Sequence, residues 1–115
     1  MRHRKTRPIL DRKAAPRNAM LRSLAISVVM HGHVETSIAK VAAVRPIVER
    51  AITTAKANTL AARRQLLQSF TEPAVEKLMK DYGPKFKERN GGYTRRILTR
   101  QRQGDAAHMA ILEIL

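Results

Sequence analysis

Cysteine and tryptophan are both missing from the chain. Without cysteine there is no disulfide framework, no thiolate zinc site and no thiol nucleophile, and a secreted scaffold held by disulfides is excluded. Aromatic residues are scarce too, two Tyr and two Phe making 3% of the chain. Few flat faces are therefore available for base stacking, which argues against single-strand binding on aromatic platforms and favours recognition of phosphate and shape. No run of about 18 apolar residues could span a bilayer. The N-terminus is basic but has neither the apolar core nor the small-residue cleavage site of a signal peptide, so a soluble protein is expected. Acidic charge is the last shortage: 9 Asp+Glu stand against 23 Lys+Arg, a formal net charge of +14 on 115 residues.

A chain this short buries only about two-thirds of its surface, which leaves little core for unpaired ions, so most of the charge faces outward. Its self-repulsion weakens the compact state unless a polyanion neutralises it, which points to nucleic acid or an anionic membrane surface. The 43% apolar and 28% charged residues are ordinary for a globular domain, so the chain folds rather than forming a basic tail. Residues 2–22 hold eight cations against Asp11, and residues 85–104 hold seven against Glu88. The middle is closer to balance. Arg outnumbers Lys 15 to 8, and the planar guanidinium grips phosphate in two places where an ammonium acts as a point charge.

Residues 1–9 show no apolar period and read as an extended basic arm; residues 10–115 read as one domain. Leu21, Leu24, Ala25, Val28 and Val29 form a helical stripe that Gly32 stops. His33 to Ile38, rich in β-branched residues, predicts a strand. A second helix over about 40–58 carries Val41, Val44, Val48, Ala51, Ile52 and Ala55 on one face. It begins either near Arg45 with Pro46 in its first turn or near Lys40 with a kink. Thr59 caps a short helix with Leu60, Leu67 and Phe70 on its stripe and Arg63 and Arg64 outside. A fourth helix starts near Thr71-Glu72-Pro73, with Val75, Leu78, Met79 and Tyr82, and ends at Gly83-Pro84. From Tyr93 to Arg102 the period becomes two, with Thr94, Arg96, Leu98 and Arg100 on one side; Gln103-Gly-Asp105 turns, and His108 to Leu115 returns. Arginine on both faces of the first hairpin strand is unusual for a half-buried strand and points to phosphate. The order helix, strand, three helices, two strands predicts a two-layer α+β fold with a three-stranded mixed sheet and a basic N-terminal arm.

Chemistry is hard to build from these residues. His31-Gly-His33 matches no zinc spacing, so no metal site is expected. A nuclease would need an acid and a base fixed about a phosphate, drawn from His3, His31, His33 and His108. Since His3 lies in the arm, nothing fixes a pair, and polar surface or RNA-contacting histidines are the preferred reading. There is no paired-carboxylate motif, no GxGxxG and no phosphate-loop lysine. Gly91-Gly92 reads as a turn admitting positive φ before a strand. Met20, Met30, Met79 and Met109 read as core filling, and Arg63-Arg64 as either a solvated face or an RNA contact. No enzyme activity, cofactor or small-molecule substrate is expected. A small architectural DNA-binding protein is the alternative, weakened because no helix-turn-helix spacing or wedge residue appears.

The opening Met1-Arg-His-Arg-Lys5, Ala19-Met20 with Arg22, Arg63-Arg64, Gly91-Gly-Tyr-Thr-Arg95 and the closing Gly104-Asp105 with Met109-Ala-Ile-Leu-Glu113 together resemble the bacterial large-subunit ribosomal protein L-seventeen (L17) family, end to end. Pro16 stands where that family often has His before Arg17, and Ser37 where a second Thr often follows Thr36; neither removes a cation. The resemblance implies a non-enzymatic constituent of the large (50S) ribosomal subunit that binds its large (23S) rRNA near the exit of the peptide tunnel. It also implies neighbouring large-subunit proteins as partners, L-thirty-two among them, no membrane, and a cytoplasmic or organellar ribosome as location. The expected RNA-binding residues are Arg2, His3, Arg4, Lys5 and Arg7 of the arm, Arg12, Lys13, Arg17 and Arg22 at the first helix, Arg63 and Arg64, and Tyr93, Thr94, Arg95, Arg96, Arg100 and Arg102 at the hairpin.

Overall fold

The computed structural model describes residues 3–4 and 8–115. Along the chain come α1 (Ala14–His31), β1 (His33–Ser37), α2 (Ile38–Lys56), α3 (Leu60–Leu67) and α4 (Glu72–Lys77). A π turn (Leu78–Tyr82) leads into the short α5 (Gly83–Lys85), followed by the hairpin of β2 (Thr94–Gln101) and β3 (His108–Ile114).

Helix α1 places Ala25, Val28 and Val29 in the core with Leu21 and Leu24 packed at its edge. It ends at Gly32, whose backbone at φ +82° sends its N–H back to the Val28 carbonyl at 2.8 Å. Met30, expected inside, is exposed in that last turn. The strand is one residue shorter than predicted, because Ile38 already opens α2.

Helix α2 begins at Ile38 and continues unbroken through Pro46, so the proline lies inside the helix rather than in its first turn. A proline inside a helix forfeits one backbone hydrogen bond and costs about 3 kcal/mol. Against this, Val41, Val44, Val48 and Ile52 are almost fully buried, each contributing about 1.5–3 kcal/mol, so burial wins. Pro46 and Ala42, one turn before it, are both exposed, so the carbonyl released by the missing N–H lies on the side open to water.

Thr59 caps α3 as its position predicts, accepting from the Ala62 N–H at 3.1 Å. The buried stripe, however, is Ala62, Leu66 and Phe70, whereas Leu60 (64% exposed) and Leu67 point outward. An eight-residue helix offers two candidate apolar stripes, and packing against α2 and α4 selects the second.

The run beginning at Glu72 does not stop at Gly83. It widens into the π turn and continues to Lys85. The wider turn ahead of Pro84 relieves the clash a proline makes with the carbonyl four residues back. Gly83 is needed at this point because a Cβ there would stand 3.0 Å from the Ala55 carbonyl oxygen of α2. The same turn carries Tyr82, whose hydroxyl donates to the Val29 carbonyl at 3.0 Å. Burial, with a smaller contribution from Asp81, raises that phenol's pKa.

The sheet order is β1-β3-β2, antiparallel at both pairs rather than mixed. The last strand inserts between the other two, so β1 and β2 run the same way without touching as neighbours. Ala110, Leu112 and Ile114 of β3 are buried beneath the helices, with Val34 and Thr36 of β1 and Thr94 of β2 paired beside them. Between Leu98 and Gln101 the register slips: three steps on β2 match two on β3, from Ala110 to His108. This bulge breaks the strict alternation predicted for the strand and removes Arg100 from the phase of Arg96 and Leu98.

Candidate nucleic-acid interface

The hairpin is anchored at its first two residues. Gly91 and Gly92 hold φ of +120° and +63° with nothing within 4 Å of a would-be Cβ, so backbone conformation rather than crowding calls for glycine there. Next, Tyr93 and Thr94 are only 3% and 4% exposed. The Tyr93 ring lies 5.2 Å from that of Phe86, tilted by 54°. Its hydroxyl accepts from Lys56 Nζ at 3.0 Å and donates to the Arg89 carbonyl at 3.3 Å, and Lys56 donates to that carbonyl as well. The hydrogen bond from the Lys56 ammonium favours the phenolate and lowers the Tyr93 pKa. Thr94 Oγ1 donates to Glu49 Oε1 at 2.8 Å and accepts from Arg45 Nε at 3.2 Å. Both residues were expected on an RNA surface; the structure turns their side chains into the protein, where each hydroxyl is satisfied by α2.

The cations fall into three groups. Some, though half-exposed, bond to oxygens of the fold: Arg45 and Lys56 at this anchor, and Lys77, whose Nζ donates to the Met30 carbonyl at the C-terminal end of α1 at 2.8 Å. Others are paired at the surface. Arg95 meets Glu113 at 2.9 Å, Arg63 meets Glu72 at 3.6 Å, and Arg102 makes a two-pronged pair with Asp105 at 2.6 and 3.1 Å. The Arg102 guanidinium, helped by the Ala107 N–H, holds the Asp105 pKa down to about 2. Surface pairs of this kind are worth about 0–1 kcal/mol. The third group, Lys13, Arg17, Arg22, Lys40, Arg64, Lys80, Lys85, Lys87, Arg89, Arg96 and Arg100, makes no ion pair or side-chain hydrogen bond with any described residue. Arg12 donates to the nearby Leu10 carbonyl at 2.9 Å and is exposed. Of the arm, His3 and Arg4 are exposed, while Arg2, Lys5 and Arg7 lie outside the described residues.

Within this group, Lys13, Arg17 and Arg22 follow the first half of α1, and Arg96 and Arg100 stand on β2, an edge strand of the sheet. Both rest on α2 and β3, which fix their relation. Leu98, 62% exposed, sits between the free arginines of β2 on a strand with no neighbour beyond it. Among the residues that sequence periodicity passes over is Arg50 of α2. It faces Arg22 of α1 across an open groove of about 380 Å³ bounded by α1, α2 and α3. The only signal for it is the pair of small residues, Ala25 and Ala51, at core positions of two facing helices.

The histidines do not converge. His31 and His33 are exposed on either side of Gly32, and His108 lies in the hairpin 3.5 Å from the Gln101 amide. No group of three or more His, Cys, Asp or Glu among the described residues could hold a metal, and no helix among them is long and apolar enough to cross a membrane.

The family profile described as Ribosomal protein L17 matches residues 20–115. The large ribosomal subunit protein bL17 of Fusobacterium nucleatum is 42% identical over 116 residues, covering all of both chains. That of Persephonella marina is 45% identical over 119 residues, covering 100% of this chain and 95% of its own. The Bdellovibrio bacteriovorus protein is 45% identical over 98% of this chain, which spans 63% of that longer relative.

Proposed function

From the premise that the chain belongs to the ribosomal protein L17 family of the large subunit, and so has a structural place in the ribosome, we propose that it acts there by clamping segments of large-subunit (23S) rRNA. One segment lies along Arg12, Lys13, Arg17 and Arg22 of α1 and the other along Arg96 and Arg100 of β2. The observation that carries this reading is that Lys13, Arg17 and Arg22 at α1 and Arg96 and Arg100 of β2 have no ion-pair or hydrogen-bond partner among the described residues, whereas Arg45, Arg63, Arg95 and Arg102 are each met by an acid. A folded body with unpaired guanidinium groups on two separate edges suits a polyanion that passes on both sides.

In this reading residues 1–9 are an arm that enters an rRNA crevice ahead of a single domain formed by residues 10–115, with Arg2, His3, Arg4, Lys5 and Arg7 adding phosphate and base-edge contacts. Arg63, Arg64, Arg95 and Arg102 contribute at the margins. Neighbouring large-subunit proteins, L-thirty-two among them, and a cytoplasmic ribosome complete the proposal on the strength of the family resemblance. The role is scaffolding, with no catalytic step.

If about 6–10 phosphates are neutralised, affinity for an rRNA domain falls by about 10³–10⁵ between 50 and 200 mM salt. Filter binding across that range measures the slope. A slope near zero would sink the proposal.

A further inference from the structure

We infer that the open groove between α1, α2 and α3 seats one unstacked nucleotide of the bound RNA, its base on the apolar floor and its phosphate against Arg22 and Arg50. This rests on the rRNA-binding reading above and adds to it a specific site.

Three helices converge on this hollow. The hollow is open and half its lining is polar; the buried part is apolar, formed by Ala25, Ala51, Leu66 and the Phe70 ring, and the two alanines leave room there that larger side chains would fill. The volume of about 380 Å³ falls in the range of about 300–1,000 Å³ over which pockets hold one small ligand. No Asp or Glu lines it, so nothing in it repels an anion. Arg22 has no partner among the described residues, and Arg50 is oriented by its Nε donating to the Pro46 carbonyl at 3.2 Å, which leaves both terminal NH₂ groups free. An apolar floor beneath two free guanidinium groups matches a base attached to a phosphate. An apolar side chain from a protein neighbour supplies only the apolar half and leaves both cations unmet. Structured RNA is read through bases splayed from its loops and bulges, held by apolar or aromatic faces and by arginine.

The test fills the hollow without altering charge. Thr54→Leu projects a larger apolar group into the groove from α2, and it loses only a hydroxyl that donates to the Arg50 carbonyl of its own helix at 3.0 Å. Ala51→Met fills the floor as a second variant, and circular dichroism melting confirms that the variant used is folded. Each is titrated against 23S rRNA, and accessible adenines and cytosines are probed with dimethyl sulfate.

The expected result is binding at least about 5-fold weaker at fixed salt with an unchanged salt slope, and one or two unpaired bases that the native protein shields becoming reactive. Arg22→Gln and Arg50→Gln together lower the slope by about 0.9, for the one phosphate they share. Full affinity with unchanged protection in a folded variant overturns the inference. Intact rRNA affinity combined with failure to enter reconstituted large subunits also overturns it, since a protein neighbour then occupies the groove. A native chain whose rRNA binding ignores salt overturns the underlying reading instead.

Discussion

Helix α2 and strand β2 are both rich in basic residues and put them to opposite uses. On α2, Arg45 and Lys56 donate to oxygens of the hairpin anchor, at Thr94 and Tyr93, while Arg50 is held only by its Nε at the Pro46 carbonyl of its own helix. On β2, Arg96 and Arg100 meet no partner among the described residues, and Arg95 meets a single carboxylate. The difference lies in position. Helix α2 crosses the middle of the molecule, where loop carbonyls and buried hydroxyls come within reach of a long side chain, whereas β2 is an edge strand with water on its far side. Net charge alone therefore overstates the interface. What matters is which cations the fold has left unmet.

The strongest way to break this contrast is to attack the residue that joins the two elements. Tyr93→Ala removes a buried ring against Phe86 and one of the two acceptors of the Lys56 ammonium, and should cost about 3–5 kcal/mol of stability. Thermal or urea unfolding measures it. If Tyr93 is an anchor, the salt slope for rRNA binding by the fraction that remains folded is unchanged. A stable variant that binds rRNA more weakly at fixed salt would instead place the phenol on the RNA.

A smaller effect is expected on the other side of the comparison. Replacing Arg96 and Arg100 by Ala should leave stability within about 0.5 kcal/mol, since nothing in the protein holds either side chain. The salt slope should fall by about 0.9 for each phosphate that is no longer neutralised. Clear destabilisation with an unaltered slope would show these arginines to be structural, and the distinction between α2 and β2 would collapse.

Which parts of this arrangement were legible in sequence follows from range. The stripe of Val41, Val44, Val48 and Ile52, the Thr59 cap and the Gly32 stop are set by neighbours within one or two turns, and each stands where its pattern places it. The hairpin partners of Arg45 and Lys56 lie 49 and 37 residues away, so apart from Glu49 four residues after Arg45 nothing local distinguishes these cations from surface ones. Tyr93 and Thr94 fell among expected RNA contacts for the same reason, being adjacent in sequence to arginines that do face outward. The bulge after Leu98 leaves no mark in the two-residue alternation it interrupts. The choice between Leu60 with Leu67 and Ala62 with Leu66 on α3 was made by α2 and α4, not by the helix.

The finest test of the contrast lies within the hairpin, where Arg102 is a cation of the edge that has been claimed by an acid. Asp105 is held at a pKa of about 2, below its ordinary 3.8, first by the Arg102 guanidinium and then by the Ala107 N–H at 3.2 Å. A carboxyl group whose pKa is lowered by folding contributes stability that is fully present above its unfolded value and is lost as pH falls through the folded one. The turn should therefore keep its ion pair down through pH 4 and release it only toward pH 2. Carbon-detected NMR of the Asp105 carboxyl, together with the Ala107 amide, should show both titrating with a midpoint near 2. A midpoint near 3.8 would mean that the pair does not form in solution. Asp105→Asn then frees Arg102 at neutral pH. If a cation without a protein partner is what makes an RNA contact on this edge, the salt slope should steepen by up to about 0.9, whereas an unchanged slope would place the turn beyond the reach of the RNA.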